Sequence, residues 1–133
     1  MSQTDPIGDL LTSIRNASRA GKPHVDFPAS KVGAAIVECL KEEGFIQNWR
    51  RLSEGNPQGI LRVYLKYTKD RQPILRHVRR VSKPGLRIYV GKTKIPRILS
   101  GIGMAVLSTP KGVLSGSQAK LEGLGGEVIC HVW

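Results

Sequence analysis

The sequence lacks most features that define a secreted, membrane or disulfide-bonded protein. Its two cysteines, Cys39 and Cys130, are far apart and show no Cys-x-x-Cys spacing, so neither a disulfide scaffold nor a zinc site is expected. No apolar run approaches the roughly 20 residues that span a bilayer, and residues 1–6 lack the basic head and apolar stretch of a signal peptide. We therefore expect buried thiols, no membrane partner and a location in the reducing cytoplasm.

Signatures of catalysis are also missing. The three histidines, His24, His77 and His131, occur in separate segments and have no acid–base or metal-binding partner at a recognisable spacing. Gly101 and Gly103 begin a dinucleotide-binding fingerprint, but its third glycine is absent, and no P-loop occurs. The sequence therefore predicts no enzyme, no metal site and no cofactor.

Acidic residues are scarce in one part of the chain. Asp and Glu total 10 against 21 Lys and Arg, which gives a net charge of +11 over 133 residues. Residues 50–97 hold 14 basic and 2 acidic residues, whereas residues 1–49 carry a net −1 and residues 98–133 are neutral. This asymmetry is typical of a polyanion-binding surface. The alternatives are a solvated face that aids solubility and a membrane surface, which would favour an amphipathic helix over the strands predicted here.

The few aromatic residues narrow the choice of polyanion. They make up only 5% of the chain, which leaves little for a base-stacking platform on single strands. No predicted helix has the basic, base-reading face of a major-groove reader. Structured RNA, recognised through its shape, backbone and ribose hydroxyls, fits best.

Hydrophobic spacing predicts an α+β fold. In the first half, two apolar stripes predict helices: one follows Pro6, where Asp5 or Thr4 can cap the helix, and the other follows Ser30, a good cap. Each stripe ends at a glycine, and two alternating segments flank a Gly-rich turn at residues 55–59. This order is helix, short strand, helix and hairpin. A polar linker ending at Pro73 follows. We therefore expect two small α/β domains, each with a short sheet covered by helices, at residues 1–70 and 71–133.

The second half predicts short strands and a short helix after Ser115. The strands are expected at residues 74–82, 86–90, 104–107 and 128–133, and a helical turn at residues 95–102. Ser108–Gly112 offers two hydroxyls, a cation and a glycine that permits close backbone approach. This composition is equally consistent with an RNA contact and with a polar strand-to-helix loop. Gly123–Gly126 favours a helix stop and a tight turn over a phosphate site.

Several blocks of sequence resemble one known family, in order and over nearly the whole chain. They are Thr4–Ala17, Lys41–Ile46, Ser82–Tyr89, and Ser108–Val113 with Gly125–Val128 and Trp133. These blocks are similar to the bacterial S-eight family, the eighth protein of the small ribosomal subunit. The resemblance implies a structural constituent of that subunit and a primary RNA-binding protein. Such a protein would bind the central domain of the ribosomal RNA, help to assemble the platform and contact neighbouring ribosomal proteins.

The resemblance also implies an alternative function and a set of RNA-binding residues. Some members of the family repress translation of their own operon's messenger RNA through the same surface. The family's main RNA contacts lie in the C-terminal domain. By motif they correspond here to Ser108, Thr109, Lys111, Gly112, Tyr89, Glu127, Gly125, Gly126, Arg87 and Lys92. Glu127 is expected to orient the loop or accept a hydrogen bond from a base, and Arg15 and Asn16 on the first helix are secondary candidates.

The chain departs from the family pattern at some positions. Pro110 stands where the family usually has a second serine in the loop, which removes one hydroxyl and one backbone N–H and holds Thr109 extended. Ser13 replaces a common arginine, Gly8 replaces a common alanine, and His131 replaces a frequent aromatic residue. These changes bear on the RNA contacts expected of the loop and of the first helix.

Overall fold

The computed structural model describes residues 5–53, 55 and 57–133, and within them it contains three α-helices and eight strands. The helices are α1 (Pro6–Arg19), α2 (Lys31–Glu42) and α3 (Gly116–Leu121), with a 3-10 turn at Leu99–Gly101. The strands are β1 (His24–Pro28), β2 (Ile46–Leu52), β3 (Ile60–Leu65), β4 (Val78–Arg80), β5 (Tyr89–Val90), β6 (Met104–Thr109), β7 (Gly112–Ser115) and β8 (Gly126–Val132). A helix cap predicted at Thr4 and the part of the predicted turn at Asn56 lie outside the described residues.

The described chain divides into two compact units. One is Ile7–Arg76, and the other is His77–Trp133 with Asp5 and Pro6. Each unit contains an antiparallel sheet, so the predicted α+β fold class is confirmed. Independent domains at residues 1–70 and 71–133 stay a prediction.

The first unit is built on a three-stranded sheet in the order β1-β3-β2. Along β3, Leu61, Val63 and Leu65 are buried while the residues between them are half-buried, as the alternation of a strand requires. The helix α2 packs closely against this face, since a Cβ at Gly33 would lie 3.2 Å from Leu61 Cδ1. The hydroxyl of Ser30 accepts a hydrogen bond from the Gly33 N–H at 3.0 Å, which confirms the predicted cap of α2.

Both cysteines are free and buried, as the sequence predicts for a chain without disulfide or zinc spacing. Cys39 lies on the buried side of α2, and Cys130 lies in β8. Burial, with smaller contributions from Glu43 and Glu42, raises the pKa of the Cys39 thiol to about 12. This thiol therefore stays protonated and unreactive at neutral pH.

The second unit is built on a five-stranded antiparallel sheet. Four of its strands lie in the order β4-β8-β6-β7, and the fifth, β5, also pairs with β8. The strands β4 and β5 share one edge of β8, because β4 pairs with Cys130–Val132 and β5 with Gly126–Glu127. Beneath the sheet, Ala105, Leu107, Ala119 and Val128 form a buried cluster that anchors α3 against β6. The long β8 therefore organises this unit, with β6 on its other edge.

The strands of this unit differ in extent from the prediction. The segment 74–82 is a strand only over Val78–Arg80, which begins opposite Val132, the last residue of β8. The segment 86–90 is a strand only over Tyr89–Val90. The strand expected at 104–107 continues to Thr109, and the strand expected at 128–133 begins at Gly126. The helical turn expected at 95–102 is reduced to Leu99–Gly101.

The interpretation of Ser108–Gly112 as a strand-to-helix loop is wrong. A further strand, β7, precedes α3 and pairs with β6, so the segment contains a hairpin turn. The turn consists of Pro110 and Lys111 between Thr109 and Gly112, which are register partners. Gly112 has φ +110°, a conformation that glycine adopts without steric cost.

Candidate nucleic-acid interface

The register of the five-stranded sheet aligns three predicted site residues. Tyr89 on β5 lies opposite Glu127 on β8, and Glu127 lies opposite Ser108 on β6. Side chains in register on neighbouring strands project from the same face of a sheet. We call Tyr89, Glu127 and Ser108 the polar row, since it places a phenol, a carboxylate and a hydroxyl side by side.

The polar row combines a fixed carboxylate with two available groups. The Glu127 side chain is 18% exposed, and its Oε2 accepts a hydrogen bond from Arg87 Nη1 at 3.1 Å. Tyr89 is 69% exposed, and Ser108 is also exposed. Neither Tyr89 nor Ser108 makes a side-chain hydrogen bond to another residue that the structure describes. The ion pair therefore orients the centre of the row, while both outer side chains are open to a ligand.

Two glycines allow the backbones around the row to approach closely. A Cβ at Gly126 would collide with the carbonyl oxygen of Ser108 and lie 3.3 Å from Thr109 Cα. A Cβ at Gly125 would collide with the carbonyl oxygen of Val90 and lie 2.8 Å from Gly91 Cα. The interpretation of Gly123–Gly126 as a tight turn is wrong for Gly126, because Gly126 begins β8. Its missing side chain lets β6 and β8 pair beside the row.

One of the two adjacent hydroxyls stabilises the hairpin turn, and the other is open to solvent. Thr109 Oγ1 donates a hydrogen bond to the Gly112 carbonyl at 2.8 Å and accepts one from the Lys111 N–H at 3.2 Å. The Thr109 hydroxyl therefore stabilises the turn, whereas the Ser108 hydroxyl remains open. Lys111 Nζ lies 3.7 Å from Glu122 Oε2, and its side chain is 65% exposed, so the ammonium stays accessible.

The remaining predicted site residues fall into two groups. Lys92 is exposed and follows Gly91, the residue whose backbone approaches Gly125, so it lies near one end of the row. Arg15 and Asn16 lie on α1 in the unit Ile7–Arg76. There the Arg15 guanidinium donates two hydrogen bonds to Asn16 Oδ1, at 3.2 and 3.1 Å. The structure thus groups the candidates of the second unit around one sheet.

The sequence analysis did not predict β7. Its Val113 lies opposite Ser108, next to the polar row on the neighbouring strand. Four residues are too few for a clear alternation of polar and apolar side chains. The available signal was the spacing of Pro110 and Gly112, which is compatible with a tight turn. Reading it as a hairpin would have placed Val113 beside the site.

His131 is a half-buried residue of the same sheet whose Nε2 atom is buried. It lies opposite Arg79 on β4 and Ala105 on β6, and its Nε2 has no hydrogen-bond partner among the described residues. Burial, with a smaller contribution from the charge of Arg79, lowers the pKa of His131 below its ordinary value of 6.5. The imidazole therefore stays neutral in the folded protein at a pH where the unfolded chain is already protonated.

We expect the His131→Phe variant to lose less stability than the parent protein when the pH is lowered. Because the folded pKa is lowered, the unfolded state binds the proton first, and the free energy of unfolding falls as the pH drops below 6.5. The fall is at most about 1.4 kcal/mol per pH unit. Urea unfolding at pH 7 and pH 5.5 measures the effect. The parent protein should lose more stability than the variant over this interval, and an equal loss in both would contradict the expectation.

Neither a metal cluster nor a membrane span occurs in the described part of the chain. Among those residues, no group of three or more His, Cys, Asp or Glu side chains could hold a metal ion. None of the helices there is long and apolar enough to cross a bilayer.

A small basic α+β chain with an exposed row of polar side chains is typical of RNA-binding proteins that recognise shape and backbone. The family model for Ribosomal protein S8 matches residues 5–133. The chain is 51% identical over 133 residues to Small ribosomal subunit protein uS8 of Geobacter metallireducens, covering 100% of both chains. It is 50% identical over 133 residues to the protein of that name from Halothermothrix orenii, again over 100% of both. The chain therefore belongs to the ribosomal protein S8 family, which confirms the resemblance.

Proposed function

We propose that the chain is a structural constituent of the small ribosomal subunit and a primary binder of its RNA. In this proposal it binds the central domain of the RNA, helps to assemble the platform and contacts neighbouring ribosomal proteins in the cytoplasm, without catalysis. The observation that carries the proposal is the family match over residues 5–133. The relatives are themselves named as proteins of the small ribosomal subunit.

We further propose that affinity and recognition come from different sets of side chains. The basic segment 50–97 supplies the charge that attracts and orients the RNA backbone. The polar row supplies recognition, so residues 71–133 form the main RNA-binding domain. The open hydroxyl of Ser108 and the exposed phenol of Tyr89 support this assignment. We propose that seven further residues contact the RNA backbone or allow its close approach: Thr109, Lys111, Gly112, Arg87, Lys92, Gly125 and Gly126. We propose a secondary RNA contact for Arg15 and Asn16.

A salt titration tests the proposed function. We expect the chain to bind a central-domain fragment of the RNA more tightly than a generic RNA duplex of equal length. The logarithm of the binding constant should fall linearly with the logarithm of salt concentration, by about 0.7–0.9 per phosphate contact. Fluorescence anisotropy with labelled RNA measures both quantities. A flat salt dependence, or equal affinity for the two RNAs, would contradict the proposal.

A further inference from the structure

The open face of the three-stranded sheet carries a charged row that contains two arginines of the basic segment and no residue of the polar row. Across this sheet, Asp26 on β1 lies opposite Arg62 on β3, which lies opposite Arg50 on β2. These side chains point away from the face that buries Leu61 and Val63. The row therefore presents two guanidinium groups and one carboxylate on the face opposite the core.

Only one of these two arginines is balanced by a carboxylate. Arg62 Nε lies 2.8 Å from Asp26 Oδ1, and its Nη2 lies 3.0 Å from Oδ2, a two-point ion pair. These hydrogen bonds hold the pKa of Asp26 below its ordinary value. Arg50 is exposed, and it has no hydrogen bond or ion pair with any residue in the described part of the chain. Like charges directly opposite each other destabilise a sheet, so Arg50 and Arg62 together favour an anion.

A cleft adjoins the unbalanced arginine. This cleft is shallow and open to solvent, and it is lined by Gln47, Asn48, Arg50 and Tyr64. Asn48 and Tyr64 are register partners, and an irregularity in β2 between Ile46 and Asn48 accommodates Gln47. All four lining side chains carry hydrogen-bonding groups and none is aliphatic. The cleft therefore suits a polar, negatively charged ligand rather than an apolar one.

We propose that this cleft binds the sugar–phosphate backbone of RNA, as a contact separate from the polar row. Arg50 supplies the charge for a phosphate, and the guanidinium fork matches phosphate oxygens in geometry. The amides of Gln47 and Asn48 and the phenol of Tyr64 offer hydrogen bonds to phosphate and ribose oxygens. A phosphate beside Arg50 also relieves its repulsion from Arg62. The choice of RNA over an acidic protein rests on the proposed function.

Arg50→Gln tests the proposal, with Arg51→Gln as the matched control. Arg51 is the next residue of β2, lies opposite Leu61 and so belongs to the other face, where its Nη2 donates to the Gln58 carbonyl at 2.8 Å. Both variants lose one positive charge. We expect Arg50→Gln to weaken binding to intact small-subunit RNA by about 10-fold and to lower the salt slope by about 0.7–0.9. Arg51→Gln should lose only the general attraction of one charge of the basic segment, and so weaken binding by about twofold.

The outcomes separate this proposal from the proposed function. If the parent protein binds the RNA and both variants lose affinity equally, only general charge matters and the cleft proposal is overturned, while the proposed function stands. If Arg50→Gln leaves RNA affinity unchanged but weakens binding to a polyglutamate peptide, the cleft takes an acidic protein and the proposal is also overturned. If the parent protein binds no RNA, the cleft proposal and the proposed function both fail. Thermal unfolding of each variant controls for a change in folding. Asn48→Ala, which truncates another lining side chain, is a second test of the cleft.

Discussion

Gly126→Ala is expected to lower the free energy of unfolding by about 3 kcal/mol and to disrupt the polar row. The new Cβ would collide with the Ser108 carbonyl oxygen and lie 3.3 Å from Thr109 Cα. Both are backbone atoms, so no rotation of a side chain relieves the contact. Overpacking costs typically about 1–3 kcal/mol, and a collision with backbone lies at the upper end. Because β6 must shift from β8, Ser108 would lose its place opposite Glu127.

Gly91→Ala is the matched control for this substitution. Gly91 lies in the same unit, adjoins β5, and a Cβ there would meet nothing within 4 Å. Its φ lies outside the left-handed region, so alanine is expected to change stability by less than about 1 kcal/mol. Urea unfolding of the parent protein and both variants measures the difference. If Gly126→Ala unfolds at the same urea concentration as Gly91→Ala, the close approach of β6 and β8 does not exist in solution.

The double variant Tyr89→Ala, Ser108→Ala is expected to weaken binding to central-domain RNA by about 100-fold without changing the fold. Both side chains are exposed and make no hydrogen bond to another described residue, so their truncation removes little from the folded state. Each lost RNA contact is expected to cost about 1–3 kcal/mol, and about 2.7 kcal/mol in total corresponds to the 100-fold loss.

Fluorescence anisotropy and thermal unfolding measure affinity and stability on the same samples. Ser117→Ala is the control, because Ser117 is exposed on α3 in the same unit and undergoes the same loss of a hydroxyl. The control should bind RNA as tightly as the parent protein. An unfolding midpoint of the double variant several degrees below that of the parent would mean that these side chains support the fold instead.

The elements predicted well from the sequence depend on local patterns. The cap at Ser30 needs only the residues that follow it, and its hydrogen bond to Gly33 is present in the structure. The alternation of Leu61, Val63 and Leu65 likewise needs only one strand, and all three are buried as expected. Short strands were harder because their extent is set by their partner. The strand Val78–Arg80 begins opposite Val132, where β8 ends, and residues 74–77 alone do not indicate this boundary.

The geometry of the candidate site could not be derived from local patterns. Tyr89, Ser108 and Glu127 lie far apart along the chain, and only the register of three strands brings them together. A slip of one residue would turn a side chain to the other face. The resemblance to a family named these residues but gave a particular role only for Glu127. Only the hydrogen bonds distinguish Thr109, which stabilises the turn, from Ser108, which remains open.

We propose that the polar row recognises the RNA while the basic side chains of segment 50–97 supply general affinity. The most direct measurement is the ratio of the two dissociation constants, for generic duplex and for central-domain RNA, in the parent protein and in the Tyr89→Ala, Ser108→Ala variant. We expect the variant's ratio to fall towards one while its affinity for the generic duplex stays within about twofold of the parent's. An equal loss of affinity on both RNAs, with the ratio unchanged, would contradict the claim.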